Sequence, residues 1–293
     1  MRIGTRGSAL ALAQARWVAG ELASHGVASE IVTVANPGDR GQRGADKARW
    51  TSGLERALLE GEIDVAVHSA KDVPGELAPG TGIAAIPARE DPADVICGVG
   101  SLDELPAGAR VGTSSLRRSA QLLALREDLE IVELHGNVDT RLRKLAEGEA
   151  DALVLAAAGL TRLGRADAIG AALTALIPAP GQGALLLQTR ADDRVTAVAT
   201  QPLSDSEAQT CVLAERAFAS TLHATCNSPL GASATPAGKR VRLRGWIGLP
   251  DGSRWIADQL AGAPEAVATA LAGRMISLGA RELLAHAEEM AAG

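Results

Sequence analysis

Residues 109–157 read ARVGTSSLRRSAQLLALREDLEIVELHGNVDTRLRKLAEGEADALVLAA, and this stretch decides the fold. Three short apolar runs (ARVGT, EIVELH and DALVLAA) alternate with two helical segments, SLRRSAQLLALR and DTRLRKLAEG. Strands that alternate with helices predict a mostly parallel sheet, because parallel neighbours need a long connection and a helix supplies it. At the first helix start, Arg117 and Arg118 follow Gly112-Thr113-Ser114-Ser115. The chain is acidic, with formal net charge -6, so two adjacent fixed positive charges there call for a partner. Backbone N–H groups of 113–116, opening a helix after a strand, form an anion site from orphan donors and the helix dipole. The hydroxyls of Thr113, Ser114 and Ser115 add donors, and arginine forks bind carboxylates bidentately. Neighbouring helix residues point about 100° apart, so both arginines reach one ligand only near the first turn. The bland alternative is a capped helix with two solvated arginines.

The same alternation runs upstream. RIGT (2–5) reads as a strand, 8–25 as a helix with Ser8 as N-cap and Gly26 past its end, and EIVTVA (30–35) as a strand. A helix over 52–60 and the strand IDVAVHS (63–69) follow. Between them NPGDRGQRGADKARW (36–50) is Gly-rich, charged and aperiodic, which predicts a lid or binding loop. Downstream, Pro178, Pro180, Gly181 and Gly183 mark a crossing segment that leads into a strand over 184–189. The last ninety or so residues differ: a helix near 204–221, a polar loop from His223 to Pro229, a hairpin turning at Pro250-Asp251-Gly252, and a final helix near 264–288. The expected organisation is α/β in three domains: 1–86 with 184–201, 91–179, and a smaller α+β domain over 206–293. No repeat of fixed period is present.

Composition bounds the function. At 293 residues there is room for two or three domains. Aromatics are 2% with no Tyr, which argues against stacking on nucleic-acid bases, and pI 5.5 leaves no polyanion footprint. The N-terminus reads as no signal peptide, since Arg6, Gln14, Arg16 and Trp17 interrupt its apolar run, and no stretch approaches a membrane span. A cytoplasmic protein with no membrane or nucleic-acid partner is expected. Three cysteines do not make a disulfide framework. Cys97 and Cys211 sit in apolar patterns and read as core. Cys226, in HATCNSPLG, lies in a polar loop where nearby cations can lower a thiol pKa. The five histidines show no ligand spacing with the cysteines, so no metal is expected.

Cations and small hydroxyls recur after the predicted strands: Arg6 and Ser8; Ser69 and Lys71; Gly136, Asn137 and Arg141; Arg162. Ligands of open α/β sheets bind beyond the carboxyl ends of strands. A cleft between the two α/β units that gathers these residues suits a ligand bearing many carboxylates. Asp72 is the exception, a carboxylate beside Lys71. It reads either as a turn residue before Val73-Pro74 or as a catalytic carboxylate, held ionised by cations, that stabilises positive charge developing on a ligand nitrogen.

In this order along the chain occur RIGTRGSALA, VAVHSAKDVP, REDPADV, VGTSSLRR, GNVDTRL, AAAGLTRLG and PAPGQGA. Together they resemble the motif series of the hydroxymethylbilane synthase (porphobilinogen deaminase) family over nearly the whole chain. The resemblance implies two domains like type II periplasmic binding proteins and a third that carries a covalent dipyrromethane on Cys226. It implies a monomeric transferase of porphyrin and haem (tetrapyrrole) biosynthesis that joins four porphobilinogen molecules with loss of ammonia. By position, Asp72 matches the catalytic aspartate. Ser69, Lys71, Thr113, Ser114, Ser115, Arg117, Arg118, Gly136 and Arg141 match cofactor-binding residues, as does Lys47 in the Arg40–Trp50 lid. Arg6, Ser8, Arg162 and Gln182 match substrate-binding residues. Three positions depart from the pattern: Trp50-Thr51-Ser52-Gly53 after the lid, Ala224-Thr225 before the cysteine, and His135, where the family has an arginine. Histidine has no bidentate fork. Placed among Arg117, Arg118 and Arg141, His135 is expected to stay mostly neutral while it faces substrate, so His135→Arg is expected to raise cofactor occupancy. Two further readings are a solute receptor for a small polyanion, which leaves Cys226 and Asp72 unexplained, and a divergent pyrrole-binding homologue.

Overall fold

The computed structural model describes residues 1–35, 48–225 and 228–292. These residues form two compact units, 1–90 with 183–213 and 91–182 with 214–293.

The first unit is built on β1 (Arg2–Thr5), α1 (Ala9–Ser24), β2 (Glu30–Thr33), α2 (Ala48–Leu59) and β3 (Val65–Ser69). The helix crossovers make β1 parallel to both β2 and β3. β4 (Thr81–Ala85) and β9 (Leu185–Arg190) complete a sheet of order β2-β1-β3-β9-β4, in which β9 runs antiparallel to both neighbours. Ser8 caps α1 by accepting from the Ala11 N–H at 3.3 Å, as its place in the sequence predicts. The helix buries Gln14, Ala15, Val18 and Leu22 on one face, against Ile3, Val65, Val67 and Leu187 of the sheet. A core of this kind is stabilised by about 25 cal/mol per Å² of apolar surface removed from water.

The second unit repeats the plan. β5 (Asp94–Cys97) leads to β6 (Arg110–Gly112), α3 (Leu116–Leu125), β7 (Glu130–Val132), α4 (Val138–Ala146), β8 (Ala152–Ala156) and α5 (Ala157–Arg162). The sheet order is β5-β8-β6-β7, with β6 parallel to β7 and β8, and β5 antiparallel to β8. Both sheets therefore hold a three-strand parallel block in which the first strand sits between the second and third. Sequence periodicity shows no such repeat, because it is one of topology alone. The expectation of a mostly parallel sheet holds: β1, β2, β3 and β4 run one way in the first sheet and β6, β7 and β8 run one way in the second, while β9 and β5 run against them, because the chain brings each in by a route other than a helix crossover.

A short α6 (Arg194–Thr200) precedes α7 (Ser206–Thr221), within which the chain passes from the first unit into the second. The second unit then adds the antiparallel sheet β10 (Leu230–Ala237), β11 (Arg240–Gly248) and β12 (Trp255–Gly262). Its β11–β12 turn carries Gly252 at φ +72°, as the Pro-Asp-Gly signal predicts. The single final helix expected near 264–288 is two, α8 (Pro264–Ser277) and α9 (Ala280–Ala292). Gly279, at φ +90°, takes the left-handed conformation that ends α8, which glycine adopts without a Cβ penalty. β4, β10, α5 and α6 are not foreseen from the sequence.

Candidate active site

In the first unit, a recess opens at the carboxyl ends of β1 and β3. It is lined by Arg6 and Ser8 after β1, by Gln14 of α1, and by His68, Ser69 and Asp72 at the end of β3. β1 and β3 are neighbours from which the chain winds in opposite directions, which is where open α/β sheets bind ligands. Ser69 and Gln14 fix each other: the Gln14 amide donates to Ser69 Oγ at 2.9 Å, and Ser69 Oγ lies 3.3 Å from Gln14 Oε1. Asp72 ends a short 3₁₀ turn, Ala70–Asp72, whose Ala70 is anchored in the core. Lys71 lies in the same turn, half-buried.

In the second unit, the two arginines that opened the sequence reading are buried. Arg117 donates from Nη1 to Asp94 Oδ2 at 2.6 Å and from Nη2 to Oδ1 at 3.2 Å, and Nη1 also reaches the Ile177 carbonyl at 2.9 Å. Arg118 donates from Nε to Asp94 Oδ1 at 2.8 Å and from Nη1 to the Val154 carbonyl at 3.0 Å. Gln182 adds a fourth bond to this carboxylate, Nε2 to Oδ1 at 2.9 Å. Burial pushes the Asp94 carboxyl up, but Arg117 and Arg118 outweigh it and hold it far below the usual carboxylate range. The structure thus gives Arg117, Arg118 and Gln182 a common internal partner that the sequence reading does not assign. Its signal is a charged residue at the head of an otherwise apolar strand, DVIC.

One carboxylate answers two guanidiniums here, so a positive charge is left over. Arg141 adds another. Its Nε donates to the Gly136 carbonyl at 2.9 Å and its Nη2 to Ser114 Oγ at 2.9 Å, both neutral acceptors. Among the described residues no carboxylate pairs with Arg141. Burial, and then Arg118, push its pKa down, the signature of a desolvated cation beside another cation. Gly136 is needed in this turn at φ +119°, where a Cβ would also meet Thr140 Cγ2 at 2.7 Å. Ser115 caps α3 from its hydroxyl. The anion site of four free backbone N–H groups is reduced: the Thr113 N–H continues the sheet to the Val132 carbonyl at 2.9 Å, and the Ser115 N–H turns to Thr113 Oγ1 at 3.2 Å. Side-chain cations carry more of the site than the sequence suggests.

His135 is exposed, its Nε2 3.1 Å from Glu133 Oε1. Its neighbour is a carboxylate, in place of the guanidiniums that the sequence predicts around it. Arg162 ends α5, half-buried. Cys97 and Cys211 are buried as expected, and burial pushes the Cys97 thiol up to about 11. Cys226, Lys47 and the Arg40–Lys47 part of the lid lie outside the described residues. Among the described residues no group of His, Cys, Asp and Glu is disposed to hold a metal ion, and no helix is long and apolar enough to cross a membrane.

Fold and site define an α/β protein with strand-end sites, one of which has cations in excess of carboxylates. The chain belongs to the porphobilinogen deaminase family. The family model described as porphobilinogen deaminase, dipyromethane cofactor binding domain, matches residues 1–198, and that of the C-terminal domain matches 209–277. The chain is 44% identical to the porphobilinogen deaminase of Pelotomaculum thermopropionicum, over 98% of this chain and 96% of that one. It is 45% identical to that of Roseiflexus sp., over 97% and 98%. Among solved structures, a periplasmic substrate-binding protein from Coxiella burnetii is 15% identical, with a TM-score of 0.45 over 72% of this chain and 94% of that one.

Proposed function

We propose that the chain condenses four porphobilinogen molecules into hydroxymethylbilane, with one ammonia lost per unit added and one water consumed when the product is released by hydrolysis, as a transferase of tetrapyrrole biosynthesis. The observation that carries this reading is the surplus of guanidinium charge around Asp94 and Arg141. A buried cation without a counter-charge is costly, and a dipyrromethane, whose rings bear carboxylates, would offset it. Arg118, Arg141, Ser114 and Thr113 would hold that group, with Arg117 kept in place through Asp94. When bound, the group supplies the growing end to which pyrroles are added.

The remaining work falls to this chain's own residues. Asp72, Arg6 and Ser8 share one recess. Arg6 and Ser8 would orient substrate carboxylates, and Arg162 would do so for the growing chain. Asp72 would accept hydrogen bonds from ligand nitrogen and stabilise positive charge there as the carbon–nitrogen bond breaks. Cys226 would carry the group by thioether, in a separate domain over 206–293 that bears the cysteine, and Lys47 would face the group. The reading includes a cytoplasmic monomer.

The test is turnover. Purified protein incubated with porphobilinogen should release four ammonia for each hydroxymethylbilane formed. Binding without ammonia release would sink the reading and favour a binding protein.

A further inference from the structure

The carboxyl end of β3 holds a histidine that this chemistry leaves unused. His68 is buried, 5% exposed, and lines the recess with Asp72, Arg6 and Ser8. Behind it runs a sealed polar network. Gln188 of β9, fully buried, donates from Nε2 to Glu55 Oε1 at 3.1 Å and to Thr81 Oγ1 at 2.7 Å. Glu55 is held in turn by the Ala78 N–H at 3.2 Å and by the Thr51 hydroxyl at 3.3 Å.

Those bonds use both donors of the Gln188 amide and so fix which way it points. Its oxygen is left buried without a hydrogen bond, and so is Nε2 of His68. Gln188 pairs across the sheet with Ala66, two residues before His68, so the two side chains stand on the same face as diagonal neighbours, and the unpaired amide oxygen and the unpaired ring nitrogen share one sealed space. Gln188 also favours a proton on the ring. A neutral imidazole has one N–H and one lone pair. An acceptor behind Nε2 draws the proton there and leaves the lone pair on Nδ1. Among the described residues Nδ1 makes no hydrogen bond, and it is not among the sealed atoms.

We infer that His68 is a positioning residue of the recess, held as the neutral Nε2–H tautomer, whose Nδ1 accepts a hydrogen bond from an N–H group of the bound ligand beside Asp72. Burial pushes the ring down to about 4, against Glu55, Gln188 and Asp72, while Arg6 adds to the lowering. At neutral pH the ring therefore offers an acceptor, where Arg6 offers only donors. A pyrrole N–H or an aminomethyl ammonium is the donor such a pair of acceptors, Asp72 and His68, would select over a ligand bearing carboxylates alone. The identity of the ligand rests on the proposed function, whereas the tautomer does not.

Two arms test this. Long-range ¹H–¹⁵N correlation of the histidine rings, with His68 assigned by its loss in His68→Asn, should show an unprotonated Nδ1 and protonated Nε2 from pH 8 to about pH 5. An imidazolium at pH 7, or an Nδ1–H tautomer, overturns the inference whether or not the protein turns over porphobilinogen. In the cofactor-loaded enzyme, His68→Phe keeps a ring but no acceptor and should lower kcat/KM about 2–12-fold, the worth of one hydrogen bond. His68→Asn, whose amide oxygen can stand at the Nδ1 position, should recover most of that loss. Equal losses in both variants, or none in His68→Phe, would also overturn it. A wild type that fails to turn over porphobilinogen counts against the proposed function instead, and the ring tautomer still decides the inference.

Discussion

Replacing Asp94 by Asn keeps the shape of the side chain and removes its charge. In the native protein this buried carboxylate accepts four hydrogen bonds, two from Arg117, one from Arg118 and one from Gln182, at 2.6–3.2 Å. The Asn amide group would turn donors toward donors at one oxygen position and leave two buried guanidiniums unanswered. Breaking a buried pair by removing one partner costs about 3–5 kcal/mol. For a chain of this size that lowers Tm by about 6–20 °C, taking roughly 2–4 °C per kcal/mol. Urea unfolding at pH 7 measures the loss directly. The pH dependence gives a second handle. The Asp94 pKa is held below its unfolded value of about 3.9, so its stabilisation is complete above that pH and is lost as pH falls toward the folded pKa. Wild-type stability should therefore drop below about pH 4, and Asp94→Asn should lack that component. A variant within about 1 kcal/mol of wild type at pH 7 would refute the reasoning, because the two arginines would then not depend on this carboxylate.

Asp72→Asn should fold as wild type does but lose about 10²–10³ in the rate of porphobilinogen turnover, measured on cofactor-loaded protein; a rate within a few-fold of wild type would remove Asp72 from the chemistry. Glu215, fully buried, takes the Gly181 N–H and the Ala234 N–H at 2.7 Å each. Glu215→Gln turns one oxygen into a donor and should cost about 1.5–3 kcal/mol of unfolding free energy. His135→Arg should change stability by no more than about 0.5 kcal/mol and leave cofactor loading within about two-fold, because the position is exposed and paired to Glu133; a marked gain in loading would restore the expectation drawn from the sequence alone.

Both βαβαβ blocks were legible in the sequence, because their apolar runs and caps are local signals: Ser8 caps α1 where the pattern puts it. What was hidden depends on pairing between distant segments. Nothing in LLLQTR says that β9 will lie between β3 and β4, antiparallel to both, or that its Gln188 will be buried among polar partners. The cations after each strand were also legible, and several of them do gather at strand ends. The role of Asp94 was not, since a charge at the head of the apolar strand DVIC does not say which residues will close around it until the fold brings Arg117 and Arg118 there. The break between α8 and α9 was missed because a single Gly279 within an apolar helical pattern is compatible with a continuous helix.

The central claim is that the surplus cations hold a dipyrromethane borne by Cys226. Intact mass of the purified protein, followed by peptide mapping, tests this most directly. The account predicts a chain heavier by one dipyrromethane, with the adduct on the peptide containing Cys226, and an Arg141→Ala variant that carries less of it. An adduct on Cys97 or Cys211, or a bare chain mass that does not change after incubation with porphobilinogen, would contradict it.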